Sequence, residues 1–200
     1  KHIIIATGAR SRELPNLRQD GMKIIGYREA MNLPSLPASM VVVGSGAIGS
    51  EFAGFYRAMG TEVTLVEFMP RVLPIEDEEV SRTLERAFKK AKMKIMVNST
   101  VEKVDTSGEK CIVTIKTPKG EETVETEIVL SAVGITPNIE GIGLEEAGVK
   151  TDRGRVVVDE FYRTSVSGVY AIGDIVPGPA LAHVASAEAI VCVEKIAGRD

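Results

Sequence analysis

A glycine triplet set between two apolar runs constrains this chain more than any other feature. Residues 40–51 read Met-Val-Val-Val-Gly-Ser-Gly-Ala-Ile-Gly-Ser-Glu. Val41, Val42 and Val43 are β-branched and suit a buried parallel strand. Gly44, Gly46 and Gly49 follow in the spacing G-x-G-x-x-G. In a dinucleotide-binding turn the first glycine permits the tight exit from the strand. The second lets a pyrophosphate approach the backbone, and the third lets the next helix pack closely on the sheet. Ser45 and Ala47 lie in the same turn. The free N–H groups and positive dipole end of that helix would face the phosphates.

The next residues complete the unit. A helical pattern runs through Glu51, Phe52, Phe55, Tyr56 and Met59, with Gly60 as a C-terminal stop. Val63 to Val66 read as a second strand, ending at Glu67, which stands 21 positions after Gly46 (67 − 46). A carboxylate there can accept hydrogen bonds from both ribose hydroxyls of an adenosine and would repel a 2′-phosphate. The order strand, turn, helix, strand, acid therefore predicts an NAD site rather than an NADP site. Arg71, the nearest cation, is separated by Phe68, Met69 and Pro70. The plainer alternative is a doubly wound fold with an incidental glycine turn and an exposed acid.

Composition narrows the class of partner. The 200 residues are 44% hydrophobic and 26% charged, with a formal net charge of −4, and no basic stripe suggests nucleic acid. No apolar run reaches the length of a membrane span, and no signal peptide is visible. Two cysteines, Cys111 and Cys192, and two histidines argue against a disulfide scaffold or a structural metal site. A cytoplasmic cofactor-binding protein is expected. Ile3 to Ala6 read as a buried strand with no lead-in, which suggests a piece of a longer protein.

In order, Thr7-Gly8 is a tight turn, and residues 9–38, with Pro15, Pro34 and Pro37, read as a connector with a short helical segment near Arg28 to Asn32. A helix is predicted from about Asp77 to Lys92, acidic at its start and basic at its end. Its apolar stripe is Val80, Leu84, Ala87, Phe88 and Ala91. Lys94 to Val97 is a short strand. The period then changes to two: Val101–Val104, Cys111–Thr117 and Glu122–Glu127 predict an antiparallel meander, crossing over to a buried strand at Ile128–Val133. Residues 134–138 read as a loop, Val156–Val158 as an extended segment and Val169–Ile172 as a strand ending at Gly173-Asp174. A last helix, from about Ala180 to Ala197, is apolar on most faces. The fold class expected is α/β: a Rossmann-like βαβ unit in three layers, a parallel sheet with a β-meander crossover.

Four stretches in order carry a family resemblance: Ala6-Thr7-Gly8, the Gly44–Glu51 turn with Glu67, Val133-Gly134 with Pro137-Asn138, and Thr164–Asp174 followed by Leu181-Ala182-His183. The chain resembles the flavoprotein disulfide reductases, and within them the dihydrolipoamide dehydrogenase branch. The resemblance implies an NAD domain over residues 31–150, inserted into an FAD domain whose pieces are residues 1–30 and 151–200. It places Thr7 and Gly8 at the FAD adenosine end and Asp174 on a ribityl hydroxyl. The backbone of Ala182 and His183 would face the flavin pyrimidine. It places Val101 and Gly134 along NAD, with Ile48 and Glu51 near the nicotinamide.

The resemblance also implies electron transfer from dihydrolipoamide through a reactive disulfide and FAD to NAD⁺. The implied partners are lipoyl-bearing domains of 2-oxo acid dehydrogenase or glycine cleavage complexes, in a homodimer built by a C-terminal domain. The reactive C-x-x-x-x-C pair and the His–Glu acid–base pair of that family have no counterpart here: Cys111 and Cys192 are 81 positions apart (192 − 111). No catalytic residue and no metal ligand is expected in this chain, and these residues alone are expected to be inactive with little FAD retained. A stand-alone NAD(H)-binding module, or part of an NADH oxidase or ferredoxin reductase, are the alternatives.

Overall fold

The computed structural model describes residues 1–199. In chain order its elements are β1 (Ile3–Ile5), β2 (Ala9–Ser11), β3 (Ile24–Ile25), α1 (Tyr27–Ala30), β4 (Ser39–Val43), α2 (Ala47–Met59), β5 (Glu62–Val66), α3 (Glu78–Lys90), β6 (Lys94–Met96), β7 (Thr100–Asp105), β8 (Cys111–Thr117), β9 (Gly120–Thr126), β10 (Ile128–Ser131), β11 (Ile135–Pro137), β12 (Thr151–Asp152), β13 (Arg155–Val156), β14 (Val169–Ala171) and α4 (Ala182–Ile196). They form two compact units, residues 11–134 and residues 1–10 with 135–199.

The 11–134 unit is built on a five-stranded sheet of order β3-β10-β4-β5-β6, parallel throughout. Alternation along each strand sorts its side chains between two faces. Met40 and Val42 of β4 join Val63 and Leu65 of β5 under the helices, against Ala53 and Tyr56 of α2 and Phe88 of α3. Val41, Val43 and Val66 point the other way, onto Val101, Cys111, Val113 and Ile115 of the antiparallel β7-β8-β9 sheet. Helices, parallel sheet and meander thus form the three layers expected. Both faces of the sheet are covered, which is why its strands are continuous apolar runs.

The helices end where their caps dictate. Gly60 closes α2 in the left-handed region, at φ 108°. Asp77 caps α3 by accepting from the Glu79 N–H at 2.8 Å. The expected stripes are only partly buried. Phe55, Met59 and Val80 are exposed, whereas Ser81 is buried and donates to the Leu73 carbonyl at 3.1 Å. The connector expected over residues 9–38 contains two strands, β2 and β3. In β3 only Ile24 and Ile25 pair, with Val129 and Leu130, too few residues to show a period.

In the other unit β1 pairs in parallel with β14. Ile3 is 62% and Ile4 38% exposed, so the strand is not buried as expected. Cover falls mainly on β14, whose Ala171 packs with Val156 and Ile175 and whose Tyr170 packs with Cys192 of α4. Of β1 only Ile5 joins that packing. Residues 134–138, expected as a loop, include β11, which pairs with β2. The extended segment at Val156 is the second arm of a hairpin, β12-β13, turning at Arg153 (φ 46°) and Gly154 (φ 76°). The only side chains of α4 that are buried outright belong to Glu188 and Cys192. Ala189 and Ile196 are half-buried against Tyr170 and Ile172, whereas Ile190, Val191 and Val193 are exposed.

Candidate functional site

Strand order reverses at β4, with β5 and β6 on one side and β10 and β3 on the other. Such a switch point leaves a crevice beyond the carboxyl ends of the strands. A cavity of about 530 Å³ opens there, within the range of small-ligand sites. It is lined by Gly44, Ser45 and Gly46 after β4, by Glu67 and Phe68 after β5, by Ser99, Thr100 and Val101, and by Ala132, Val133 and Gly134 after β10.

The three glycines differ in what surrounds them. Gly44 has φ 96°, and a Cβ there would overlap the Ala132 carbonyl oxygen. A Cβ on Gly49 would overlap the Gly44 carbonyl oxygen. Gly46 has φ −65°, which any residue adopts, and a Cβ there would meet nothing within 4 Å. Gly44 and Gly49 are therefore required by the protein's own packing. The space beside Gly46 is a cradle that only a ligand would need. A pyrophosphate fits it, since Gly46 caps α2 with no side chain competing for the helix N–H groups.

Glu67 is buried, 6% exposed. Its Oε2 accepts from the Ser45 N–H at 2.7 Å and the Ser45 hydroxyl at 2.6 Å, and its Oε1 from the Met69 N–H at 2.8 Å. A carboxylate offers about four acceptor directions. One is left for a ligand hydroxyl while all three protein donors stay in place. Arg71 spends its guanidinium on the Pro74 and Glu76 carbonyls, each at 3.2 Å.

Of the expected NAD residues, Gly44, Ser45, Gly46, Glu67, Val101 and Gly134 line this cavity. Ala47, Ile48, Gly49 and Glu51 lie along α2. Ala47 and Glu51 are exposed and Ile48 is half-buried. Arg12, Leu14, Asn16 and Leu17 also line the cavity and were absent from the expected set. Asn16 donates to the Val101 carbonyl at 2.7 Å, and Leu14 and Leu17 bridge each other. Two leucines around Pro-Asn were a legible turn, but nothing local tied that turn to β7.

In the other unit, Thr7 and Gly8 interlock with Asn138. The Thr7 hydroxyl donates to the Asn138 carbonyl at 2.6 Å, the Asn138 amide group to the Thr7 carbonyl at 3.1 Å, and the Asn138 N–H to the Gly8 carbonyl at 2.8 Å. Arg10 donates to Asn138 Oδ1 at 2.9 Å and to both oxygens of Glu140 at 3.0 Å. Those hydrogen bonds raise the Arg10 pKa and lower that of Glu140. Two motifs far apart in sequence are thus one hydrogen-bonded feature.

Asp174 sits in a 3-10 turn, Gly173–Ile175. Its half-buried carboxylate has no hydrogen-bond or ion-pair partner among the described residues. The Gly173 N–H donates to buried Glu188 at 2.6 Å. Ala182 and His183 open α4 behind Leu181, which gives no side-chain cap, so their N–H groups are free to face a ligand. A free carboxylate and an uncapped helix start fit a flavin nucleotide's hydroxyl and ring acceptors.

Cys111 and Cys192 are fully buried, and burial pushes both thiols above their ordinary pKa. Among the described residues no group of three or more His, Cys, Asp or Glu could hold a metal ion. No described helix is long and apolar enough to cross a membrane.

Residues 1–189 match the family described as Pyridine nucleotide-disulphide oxidoreductase. The chain is 49% identical over 199 residues to the dihydrolipoyl dehydrogenase of Rhizobium etli, covering 99% of this chain and 41% of that protein. To the dihydrolipoyl dehydrogenase of Zymomonas mobilis it is 45% identical, covering 100% and 43%. Among solved structures, LpdA from Mycobacterium tuberculosis superposes with a TM-score of 0.90 at 34% identity, covering 100% of this chain and 43% of that one. The chain therefore spans about two fifths of the length of these relatives. Fold, fingerprint turn and interlocked flanking motifs agree with that match: the chain belongs to the pyridine nucleotide-disulphide oxidoreductase family.

Proposed function

We propose that the cavity at Gly44–Glu67 binds NAD(H) in preference to NADP(H), as the nicotinamide site of an FAD- and NAD-dependent dihydrolipoyl dehydrogenase. The observation that carries the choice of nucleotide is the Glu67 carboxylate, held by three hydrogen bonds at the end of β5. A fixed negative charge accepts a ribose hydroxyl and repels a 2′-phosphate. Arg71, which could have offset that charge, is engaged by backbone carbonyls.

Under this reading the NAD domain, expected over residues 31–150, is the unit of residues 11–134, which holds β3 and the cavity-lining Arg12, Leu14, Asn16 and Leu17. Residues 1–10 and those from 135 onward contribute to an FAD domain. The turn at Gly46 and the start of α2 hold the pyrophosphate, Val101 and Gly134 flank the nucleotide, and Ile48 and Glu51 lie toward the nicotinamide. Thr7, Gly8, Asp174 and the N–H groups of Ala182 and His183 hold FAD. The cofactors supply the redox chemistry when bound, and these residues orient them and exclude water. The buried, high-pKa thiols of Cys111 and Cys192 are structural, so these 200 residues supply no redox thiol pair. In the intact protein the electron donors are lipoyl-bearing domains of 2-oxo acid dehydrogenase or glycine cleavage complexes, met by a cytoplasmic homodimer. Support for the substrate class is the set of dihydrolipoyl dehydrogenases similar along this whole chain.

Equilibrium titration of the oxidised intact protein with NAD⁺ and NADP⁺ tests the reading. NAD⁺ should bind more tightly, and Glu67→Ala should weaken it by about 1–3 kcal/mol. Tighter binding of NADP⁺ would overturn it.

A further inference from the structure

Ser45 stands between the first two glycines of the turn and is fully buried. It is held from behind: its carbonyl accepts from the Ser50 hydroxyl at 2.9 Å and the Leu73 N–H at 3.0 Å. From the front it gives Glu67 Oε2 both its N–H, at 2.7 Å, and its hydroxyl, at 2.6 Å. With the Met69 N–H on Oε1 at 2.8 Å, three donors grip one carboxylate. Two of them are backbone groups that any residue would supply. The Ser45 hydroxyl is the one that depends on the side chain. The dinucleotide turn requires glycine at 44, 46 and 49 and leaves position 45 open in type.

We propose that Ser45 is a positioning residue that sets the preference for NAD over NADP through Glu67. This rests on the nucleotide reading given above. With both lone pairs of Oε2 filled by one rigid residue, the carboxylate is confined to a single orientation. Its charge then stays where a 2′-phosphate would have to sit, and Oε1 keeps one acceptor direction for a ribose hydroxyl. Without the hydroxyl only two backbone N–H groups, one on each oxygen, hold the carboxylate, so it is less tightly fixed in orientation against an incoming phosphate. It also loses the pre-organised geometry that favours the hydroxyl.

The test is equilibrium titration of the oxidised intact protein with NAD⁺ and NADP⁺, for wild type, Ser45→Ala, Glu67→Ala and the double variant. Ser45→Ala should raise the Kd for NAD⁺ by about fivefold while leaving that for NADP⁺ unchanged or lower. In the Glu67→Ala background the same change should have no further effect on the ratio of the two. Ser45→Cys keeps the side-chain connectivity with one larger atom, replaces a strong donor by a weak one, and should lower the preference for NAD⁺ likewise if the alanine variant does not fold. Equal weakening of both nucleotides, an unchanged ratio, or an effect of Ser45→Ala that persists without Glu67 would each overturn the proposal. If Glu67→Ala itself leaves the ratio unchanged, the NAD reading fails. If Glu67→Ala collapses the ratio and Ser45→Ala does not, only the role of Ser45 fails.

Discussion

Gly49 packs so closely on Gly44 that a Cβ at position 49 would overlap the Gly44 carbonyl oxygen and stand 2.9 Å from its carbon. Helix α2 is thereby seated against the end of β4. Gly49→Ala should cost about 3 kcal/mol, the upper range for overpacking a site bounded by backbone, seen as a lower denaturant midpoint at unchanged slope. Gly46→Ala should behave differently, because nothing of the protein occupies the space beside it. Its stability should fall by no more than about 1 kcal/mol, the loss of a favourable N-cap, while NAD⁺ binding falls at least about tenfold as the methyl group takes the pyrophosphate's place. Comparable stability losses in the two variants would contradict this separation.

Asp20 shapes the turn into β3. Its Oδ1 accepts from the N–H groups of Met22, Lys23 and Ile24, at 2.8, 2.8 and 2.9 Å. Desolvation alone would raise its pKa, but the backbone hydrogen bonds outweigh it and the net shift is downward. A carboxylate depressed on folding stabilises above its unfolded pKa, about 3.9, and loses that contribution as pH falls through the folded value. Asp20→Ala should cost about 1 kcal/mol at pH 7, discounted for exposure to solvent. The difference from wild type should shrink as pH falls below the unfolded value, about 3.9, and through the lower folded one. Chemical denaturation at several pH values reads it directly.

Cys111 and Cys192 should be silent toward thiol reagents in the folded protein. Both are fully buried and both thiols are shifted upward by burial, and a thiol reacts as its thiolate. At pH 8 a peptide map after brief alkylation should show neither labelled, and both labelled after unfolding in guanidinium. Rapid labelling of either in the native protein would show that its cover opens.

Glu188 is buried on α4 and accepts from the Gly173 N–H at 2.6 Å. Glu188→Ala strands that N–H next to Asp174. A cost of about 2 kcal/mol is expected, and Glu188→Gln, whose amide oxygen can still accept, should recover most of it. Thermal unfolding of the pair checks the order.

Which of these features sequence could show depends on what each requires. Gly60 and Asp77 are legible as helix ends because their conformations and donors call for particular residue types. Glu67 is legible because the dinucleotide pattern calls for an acid at the end of its second strand. Burial was less so: Phe55, Met59, Ile190, Val191 and Val193 are apolar residues of predicted helices yet stay exposed, since a pattern says which side chains favour burial and not whether another element covers them. β3 pairs through two residues, Ile24 and Ile25, and leaves no periodicity to read. Asn16 reaches the cavity by donating to a carbonyl 85 residues away, a contact made by topology alone.

The meander between β6 and β10 sets the order in which the parallel sheet can assemble. β7, β8 and β9 pair only with sequence neighbours, and hairpins of that kind close in about 1–10 μs. β10 must find β4, nearly ninety residues back, and then β3, more than a hundred back, a slower and entropically dearer search. A preformed meander shortens it by holding the intervening chain as one body. The β3–β10 edge, Ile24 with Val129 and Ile25 with Leu130, is then expected to be the last seam to close, and the place where amide protons should first exchange when the native sheet begins to open.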